Sequence, residues 1–354
     1  MPDLVVAGAG MAGLVAAARA RELGADVIVF EKSERPGGSM LLSSGVIWRH
    51  SEFERFREEC PGGDPQLQRL VYERLDPGLG WLESLGARVT ERSTGNPTTD
   101  GMRFDTTSLT DALVRAAGGR LRLGEPLREL PDATPVVLAT GGFAAARDLL
   151  REHVTPEADH VVVRAAPGNT GDGLRLGLAA GAHPSAGLGE IYGRNMPAPP
   201  ASIEPSGFVP LAQLYARFAT SVENADGERF EPRSWSEIDV LQWTARQPRA
   251  RAWFTVTNGA LAERVRERSV GEMIDAAERA GAPVTREDDR VTVETVAGVT
   301  TTLGGLAVDA NAQAAAGVFA AGQDAGGIAT GGYASGLAAA LVLGRIAAES
   351  ALGV

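Results

Sequence analysis

Two residue types are almost missing from this 354-residue sequence: Cys60 is its one cysteine and Lys32 its one lysine. A lone thiol can form no disulfide, no Cys-x-x-Cys redox pair and no thiolate metal cluster within the chain. It suits a reducing compartment, so a cytoplasmic protein is expected, and no metal site. Nearly all the positive charge is Arg, 45 acidic residues outnumber 34 basic ones, and the formal net charge is -11. That leaves no basic footprint for a phosphate backbone or an anionic membrane surface, so neither nucleic acid nor membrane is an expected partner. Long apolar runs are absent too. Leu337 to Leu352 is broken by Arg345 and Glu349 and is too short to span a bilayer, and Leu4 to Ala7 follows Asp3 with no basic segment before it. The N-terminal run therefore reads as a first strand rather than a signal peptide.

What the chain does have is 354 residues, the size of one large or two ordinary domains, and an ordinary hydrophobic fraction of 44%, enough for a substantial core. The run Leu4 to Ala7 is followed by glycines, an Ala-rich helical stretch from Met11 to Leu23, and a second apolar run, Asp26 to Phe30, that ends in Glu31. This is the size of one parallel strand-helix-strand crossover. Pro135 to Ala139 and Gly317 to Ala321 are two more buried-strand candidates, the second leading into a glycine-rich loop and an Ala/Leu helix. Between Ile191 and Phe254 the texture changes: nine of the nineteen aromatic residues fall there, among them Tyr192, Tyr215 and Trp235. An inserted module is expected at 191–300, with 1–190 and 301–354 forming the domain that carries it.

The chemistry begins at Gly8-x-Gly10-x-x-Gly13, placed directly after a strand and opening a helix at Met11 and Ala12, with Glu31 closing the second strand. The first glycine permits the tight turn, the second lets a pyrophosphate approach the backbone, and the third allows close helix-strand packing. Unpaired N–H groups at the helix start then meet phosphate, and an acidic residue accepts from a ribose hydroxyl. Glu31-Lys32 is followed by Gly37-Gly38-Ser39 and Ser44-Gly45, then Ala139-Thr140-Gly141, then Gly168 to Gly173 with Asp172 inside it. Leu303-Gly304-Gly305-Leu306, Gly322-Gln323-Asp324 and Gly331-Gly332 complete the series.

That ordered series resembles the flavoprotein family of fumarate reductases and succinate dehydrogenases, which also embraces 3-ketosteroid 1-dehydrogenases. The resemblance implies an α/β protein. Its glutathione-reductase-like, Rossmann-type domain would bind FAD non-covalently, and an α+β cap would lie over the flavin. It implies that Asp324, one position later than the acid of the family's usual Ala-Gly-Glu, holds the ribityl chain. It implies also that a helix starting near Ser335-Gly336-Leu337 points its positive end at the isoalloxazine ring.

The pattern departs from the fumarate branch where carboxylates would bind. Thr300-Thr301-Thr302 stands where that branch has histidine, and Gly331 to Gly336 contains no arginine. A dicarboxylate needs paired cationic or bidentate donors, so fumarate and succinate are disfavoured. Tyr333 stands instead in the glycine-rich loop. By its likeness to the ketosteroid branch it is the leading acid-base candidate, with Tyr192 and Tyr215 behind it. His50 is placed to reach the flavin. The expected activity is oxidation or reduction of a carbon-carbon bond beside a carbonyl in a mainly apolar small molecule, with an external electron donor or acceptor. A flavin-linked amine or hydroxy-compound oxidase, or a flavin-binding protein without the family's activity, stays open.

Overall fold

The computed structural model describes residues 1–231 and 236–354; Trp235 lies outside the described residues. The chain divides into two compact units, one of residues 1–146, 166–190 and 302–354, the other of residues 147–165 and 191–301. Each combines strands and helices, so the class is α/β.

In the first unit, strand β1 (Leu4–Ala7), helix α1 (Met11–Glu22) and strand β2 (Val27–Glu31) follow one another. The two strands pair in parallel, Leu4 against Val27 through Ala7 against Phe30. A parallel pair cannot be joined by a tight turn, which is why a helix intervenes. All of β1 is buried, as befits a strand covered on both faces. On its other side lies Val136–Leu138 and beyond that Val318–Ala320, both parallel, while Leu121–Leu123 extends the sheet past β2. Gln313–Ala315 closes the far edge antiparallel. The chain thus builds outward from β1 on one side and returns to build on the other. The crevice beyond the carboxyl ends of the strands at such a reversal is where open α/β sheets bind ligands.

Helix α1 packs on the last helix, Gly336–Ala351, through small residues. A Cβ added at Gly344 would lie 2.7 Å from the Ala12 carbonyl oxygen, and Arg19 Nε meets Glu349 Oε1 at 2.8 Å. The two ends of the sequence therefore share one core.

The second unit is organised on the long strand Arg290–Thr302, which pairs antiparallel with Arg251–Thr257 and with Val284–Arg286. Val162–Val163 pairs parallel to it, and Ile191–Pro197 also joins it. The segment 147–165 belongs here, outside the expected insert of 191–300. Its attachment is non-local: Thr155 Oγ1 donates to the Ala245 carbonyl at 2.6 Å, and the Arg249 N–H donates to Glu157 at 3.0 Å. No feature of local composition announces such bonds. Among the described residues no helix is long and apolar enough to cross a membrane.

Candidate functional site

Three loops of the first unit leave the carboxyl ends of adjacent parallel strands: Gly8–Gly10 after β1, Thr140–Gly142 after Val136–Leu138, and Ala321–Asp324 after Val318–Ala320. Gly8 adopts φ +102°, and a Cβ there would stand 2.2 Å from the Ala139 carbonyl oxygen. At Gly13 a Cβ would stand 1.9 Å from the Gly8 carbonyl oxygen. Both glycines are thus demanded by the protein itself, one for the turn and one for helix packing.

Gly10 is different. Its backbone (φ −79°, ψ −168°) is open to any residue, and a Cβ on it would meet no protein atom within 4 Å. As N-cap it supplies no side-chain acceptor, so the leading N–H groups of α1, on Met11, Ala12 and Gly13, face outward from the helix end. The turn at Gly37-Gly38 lies alongside: the Gly37 N–H donates to the Ala9 carbonyl at 2.8 Å, and a Cβ on Gly38 would approach Gly10 Cα at 3.5 Å. This is a cradle that a side chain would fill, with helix-end N–H groups on one wall, and it fits a pyrophosphate.

Glu31 is positioned at the end of β2, where its carboxylate accepts from the Ala9 N–H at 2.7 Å and from the Ser33 N–H at 2.8 Å. Each carboxylate oxygen keeps a further lone pair for a ribose hydroxyl. Lys32 turns toward the protein instead, donating to Thr170 Oγ1 and Asp172 Oδ2, both at 2.6 Å. Burial alone would raise the Asp172 carboxyl, but Lys32 and Thr170 hold it below its ordinary value. Ser39 Oγ accepts from the Ala166 N–H and from Asn169, each at 3.1 Å. Ser44 is exposed, and Gly45, at φ +71°, lies so near the Phe104 carbonyl that a Cβ would stand 2.1 Å away.

Asp324 requires a correction. Its side chain is 0% exposed, and its carboxylate accepts from the Thr140 N–H, the Thr140 hydroxyl and the Gly142 N–H. Burial raises its pKa, partly offset by those bonds. A carboxylate enclosed in this way ties the loops after two neighbouring strands together and has no surface to offer a ribityl chain. Gly173 makes room for it, since a Cβ there would lie 2.2 Å from Asp324 Oδ2. The residue beside the start of the last helix is Gln323: a Cβ on Gly336 would come within 2.7 Å of Gln323 Nε2. Gln323 occupies the position of the acid in the family's Ala-Gly-Glu, a signal the sequence carried and the reading passed over. Ser335 caps the same helix, its Oγ accepting from the Ala338 N–H at 3.3 Å, which leaves the Gly336 and Leu337 N–H groups at the tip.

Tyr333 is half-buried, with its ring centroid 5.9 Å from that of Trp48. Trp48 meets His50 edge-on at 5.2 Å, and His50 in turn lies 5.4 Å from Phe56. His50 is only 6% exposed, so it is a core residue of this aromatic row and not a surface group. It faces the Tyr333 backbone without a well-aligned hydrogen bond, and burial lowers its pKa. Next to it the Cys60 thiol is also buried and pushed up to about 12, which makes it inert.

The other two candidate tyrosines belong to the second unit. Tyr215 is 0% exposed, its hydroxyl has no hydrogen-bond partner, and its ring packs edge-on against Phe254 at 5.8 Å. Burial drives its pKa far above the ordinary phenol value. It is a core residue and is withdrawn as an acid-base candidate. Tyr192 is half-buried under the Arg194 guanidinium, 4.7 Å from the ring centroid. Thr300 accepts from Arg164, a residue the sequence reading did not single out.

A protein-family model described as "FAD binding domain" matches residues 3–125 and 128–337. Among curated proteins, the NADH:fumarate oxidoreductase of Klebsiella pneumoniae (strain 342) is 28% identical over 240 residues, 53% of this chain and 25% of that protein. The chain thus spans a quarter of that relative's length. Among solved structures, the open conformation of a flavocytochrome c3 fumarate reductase superposes with a TM-score of 0.72 at 21% identity, covering 99% of this chain and 78% of that one. The 3-ketosteroid-Δ4-(5α)-dehydrogenase of Rhodococcus jostii RHA1, solved with 4-androstene-3,17-dione, gives 0.69 at 20% identity, covering 100% and 97%. At these identities the likeness is one of fold.

Proposed function

This chain belongs to the FAD binding domain family, and we propose that it is an FAD-dependent oxidoreductase acting on a carbon-carbon bond next to a carbonyl in a mainly apolar small molecule. The observation that carries the cofactor half of this reading is Gly10, which nothing in the protein requires to be glycine and which borders a helix N-terminus at the reversal of the sheet. Gly10, Met11, Ala12 and Gly13 would take the pyrophosphate, Glu31 a ribose hydroxyl, and Gly37 and Gly38 the neighbouring chain of the nucleotide. Gln323 and the N–H groups of Gly336 and Leu337 would meet the polar edge of the flavin ring. The positive end of a 16-residue helix favours negative charge there. No side chain of this set supplies a covalent link, so attachment is non-covalent.

When bound, FAD takes up or gives out a hydride. The rest of the chemistry falls to the protein. Tyr333, in the loop that leads into the same helix, would hold or move a proton at its Oη, or donate a hydrogen bond to the substrate carbonyl and so make the adjacent carbon more acidic. Trp48, packed on its ring, limits its rotamers. Electrons come from or pass to an external carrier. The test is anaerobic titration of the purified protein with candidate enones and saturated ketones, following bleaching or recovery of the flavin band and the mass of the product. Loss or gain of two hydrogens at the bond beside the carbonyl supports the reading. Carbonyl formation at an amine or alcohol carbon would replace it with an oxidase, and bleaching by none of them would leave a flavin-binding protein without this activity.

A further inference from the structure

The second unit encloses a cation that no carboxylate among the described residues neutralises. Arg164 is 9% exposed, yet its guanidinium is held only by uncharged acceptors, Thr300 Oγ1 at 2.9 Å from Nη1 and the Phe208 carbonyl at 2.6 Å from Nη2. Its Nε–H is buried with no hydrogen-bond partner. Among the described residues no carboxylate forms an ion pair with it, although Arg194 close by is paired with Glu237 at 3.2 Å. Burial first, and the Arg194 charge second, push the Arg164 pKa down to about 10, so it remains cationic at neutral pH. A buried charge without a counter-ion is strongly unfavourable. The backbone is nevertheless shaped around it: a Cβ at Gly298 would stand 2.7 Å from Arg164 Cδ and 2.6 Å from Met196 Cγ.

We propose that Arg164, with Arg194 and Tyr192 beside it, is a receptor for the carboxylate of a small organic monoacid whose apolar remainder packs near Phe208. Of the guanidinium's five N–H donors the two bonds above use two and the Nε–H is buried, so one further N–H on each of Nη1 and Nη2 is left for an anion without breaking either bond. An apolar neighbour is present: Phe208 is 8% exposed with its ring 5.7 Å from the Arg164 guanidinium. Binding of the acid stands on this cluster alone.

The test is calorimetric titration of the full-length protein with acetate, crotonate and phenylacetate, each against its neutral amide and against inorganic phosphate. At least one carboxylate should bind at least about 10-fold more tightly than its amide, and Arg164→Gln should weaken it by roughly 10- to 100-fold, the range of a charge-assisted hydrogen bond. The same carboxylate, not the amide, should raise the unfolding temperature of the unmodified protein. Arg164→Gln and Arg164→Met should unfold no earlier than wild type, because each removes a buried unpaired charge. The proposal is overturned if none of the acids outbinds its amide, if phosphate binds as well as they do, or if Arg164→Gln binds undiminished. It is overturned equally if both variants lose stability, which would make Arg164 a structural tie. None of these readouts uses the flavin, so their failure leaves the bleaching experiment to judge the oxidoreductase reading separately.

Discussion

The carboxylate of Asp324 accepts hydrogen bonds from both the backbone N–H and the hydroxyl of Thr140, joining two loops that leave neighbouring strands at the same edge of the sheet. Asp324→Ala would strand the Thr140 and Gly142 N–H groups in the interior, at a cost of about 1–3 kcal/mol for each. We expect the urea midpoint of the apoprotein to fall accordingly. Gln323→Ala should leave that midpoint unchanged while FAD dissociates more readily. The reverse pattern would restore Asp324 as the ligand.

Gly10 and Gly13 separate cofactor binding from folding. Gly10→Ala and Gly10→Val should keep the circular dichroism and unfolding temperature of the apoprotein, because a Cβ at this position meets no protein atom within 4 Å, yet lose FAD. Gly13→Ala should destabilise the apoprotein itself, since its Cβ would collide with the Gly8 carbonyl. A Gly10→Val protein that purifies yellow would show that the cradle is not the pyrophosphate site.

Tyr333→Phe and Tyr215→Phe form a matched pair. The first keeps ring volume and should retain FAD and substrate while slowing flavin reduction roughly 10²- to 10⁴-fold. The second removes a buried hydroxyl that has no partner, and should leave the rate unchanged and stability equal or slightly higher. Stopped-flow reduction of the two variants distinguishes them. A near wild-type rate in Tyr333→Phe would move the proton-transfer role to Tyr192.

His50 sets a pH dependence. Burial holds its folded pKa below the ordinary 6.5, so the neutral imidazole contributes stability that is complete above about pH 6.5 and is lost as pH falls toward the lower, folded value. The unfolding temperature of the wild type should therefore decline from pH 7 to 5 more steeply than that of His50→Phe. Parallel curves would show that the ring is not held neutral.

What the sequence made legible was spacing. Strand, glycine turn and helix at residues 4–31 follow from periodicity and from the conformational needs of glycine. Direction was harder to read. Gly322-Gln323-Asp324 puts an acid near the right place but cannot say that Asp324 turns inward to Thr140 while Gln323 lies at the helix tip, because neighbouring side chains at a turn diverge. Tyr192 and Tyr215 are alike as letters, and only packing makes one half-exposed and the other core. Arg164 was invisible for the same reason: its environment is assembled from residues 194, 208, 298 and 300, which no local pattern connects.

The sheet of the first unit places Val318–Ala320 directly beside Val136–Leu138, with the whole second unit encoded between them. During synthesis the β1–α1–β2 segment emerges before the second unit but must wait for a strand and a helix made after it before its sheet is complete. The second unit, lying wholly within residues 147–301, can finish first. Closing the long connection comes late and lowers the folding rate, as pairings of high sequence separation do. Until then the apolar edge of Val136–Leu138 is open to pairing with another chain, the condition in which half-made α/β proteins aggregate. A released fragment of residues 1–317 should therefore hold a protease-resistant second unit and a first unit that is still cut.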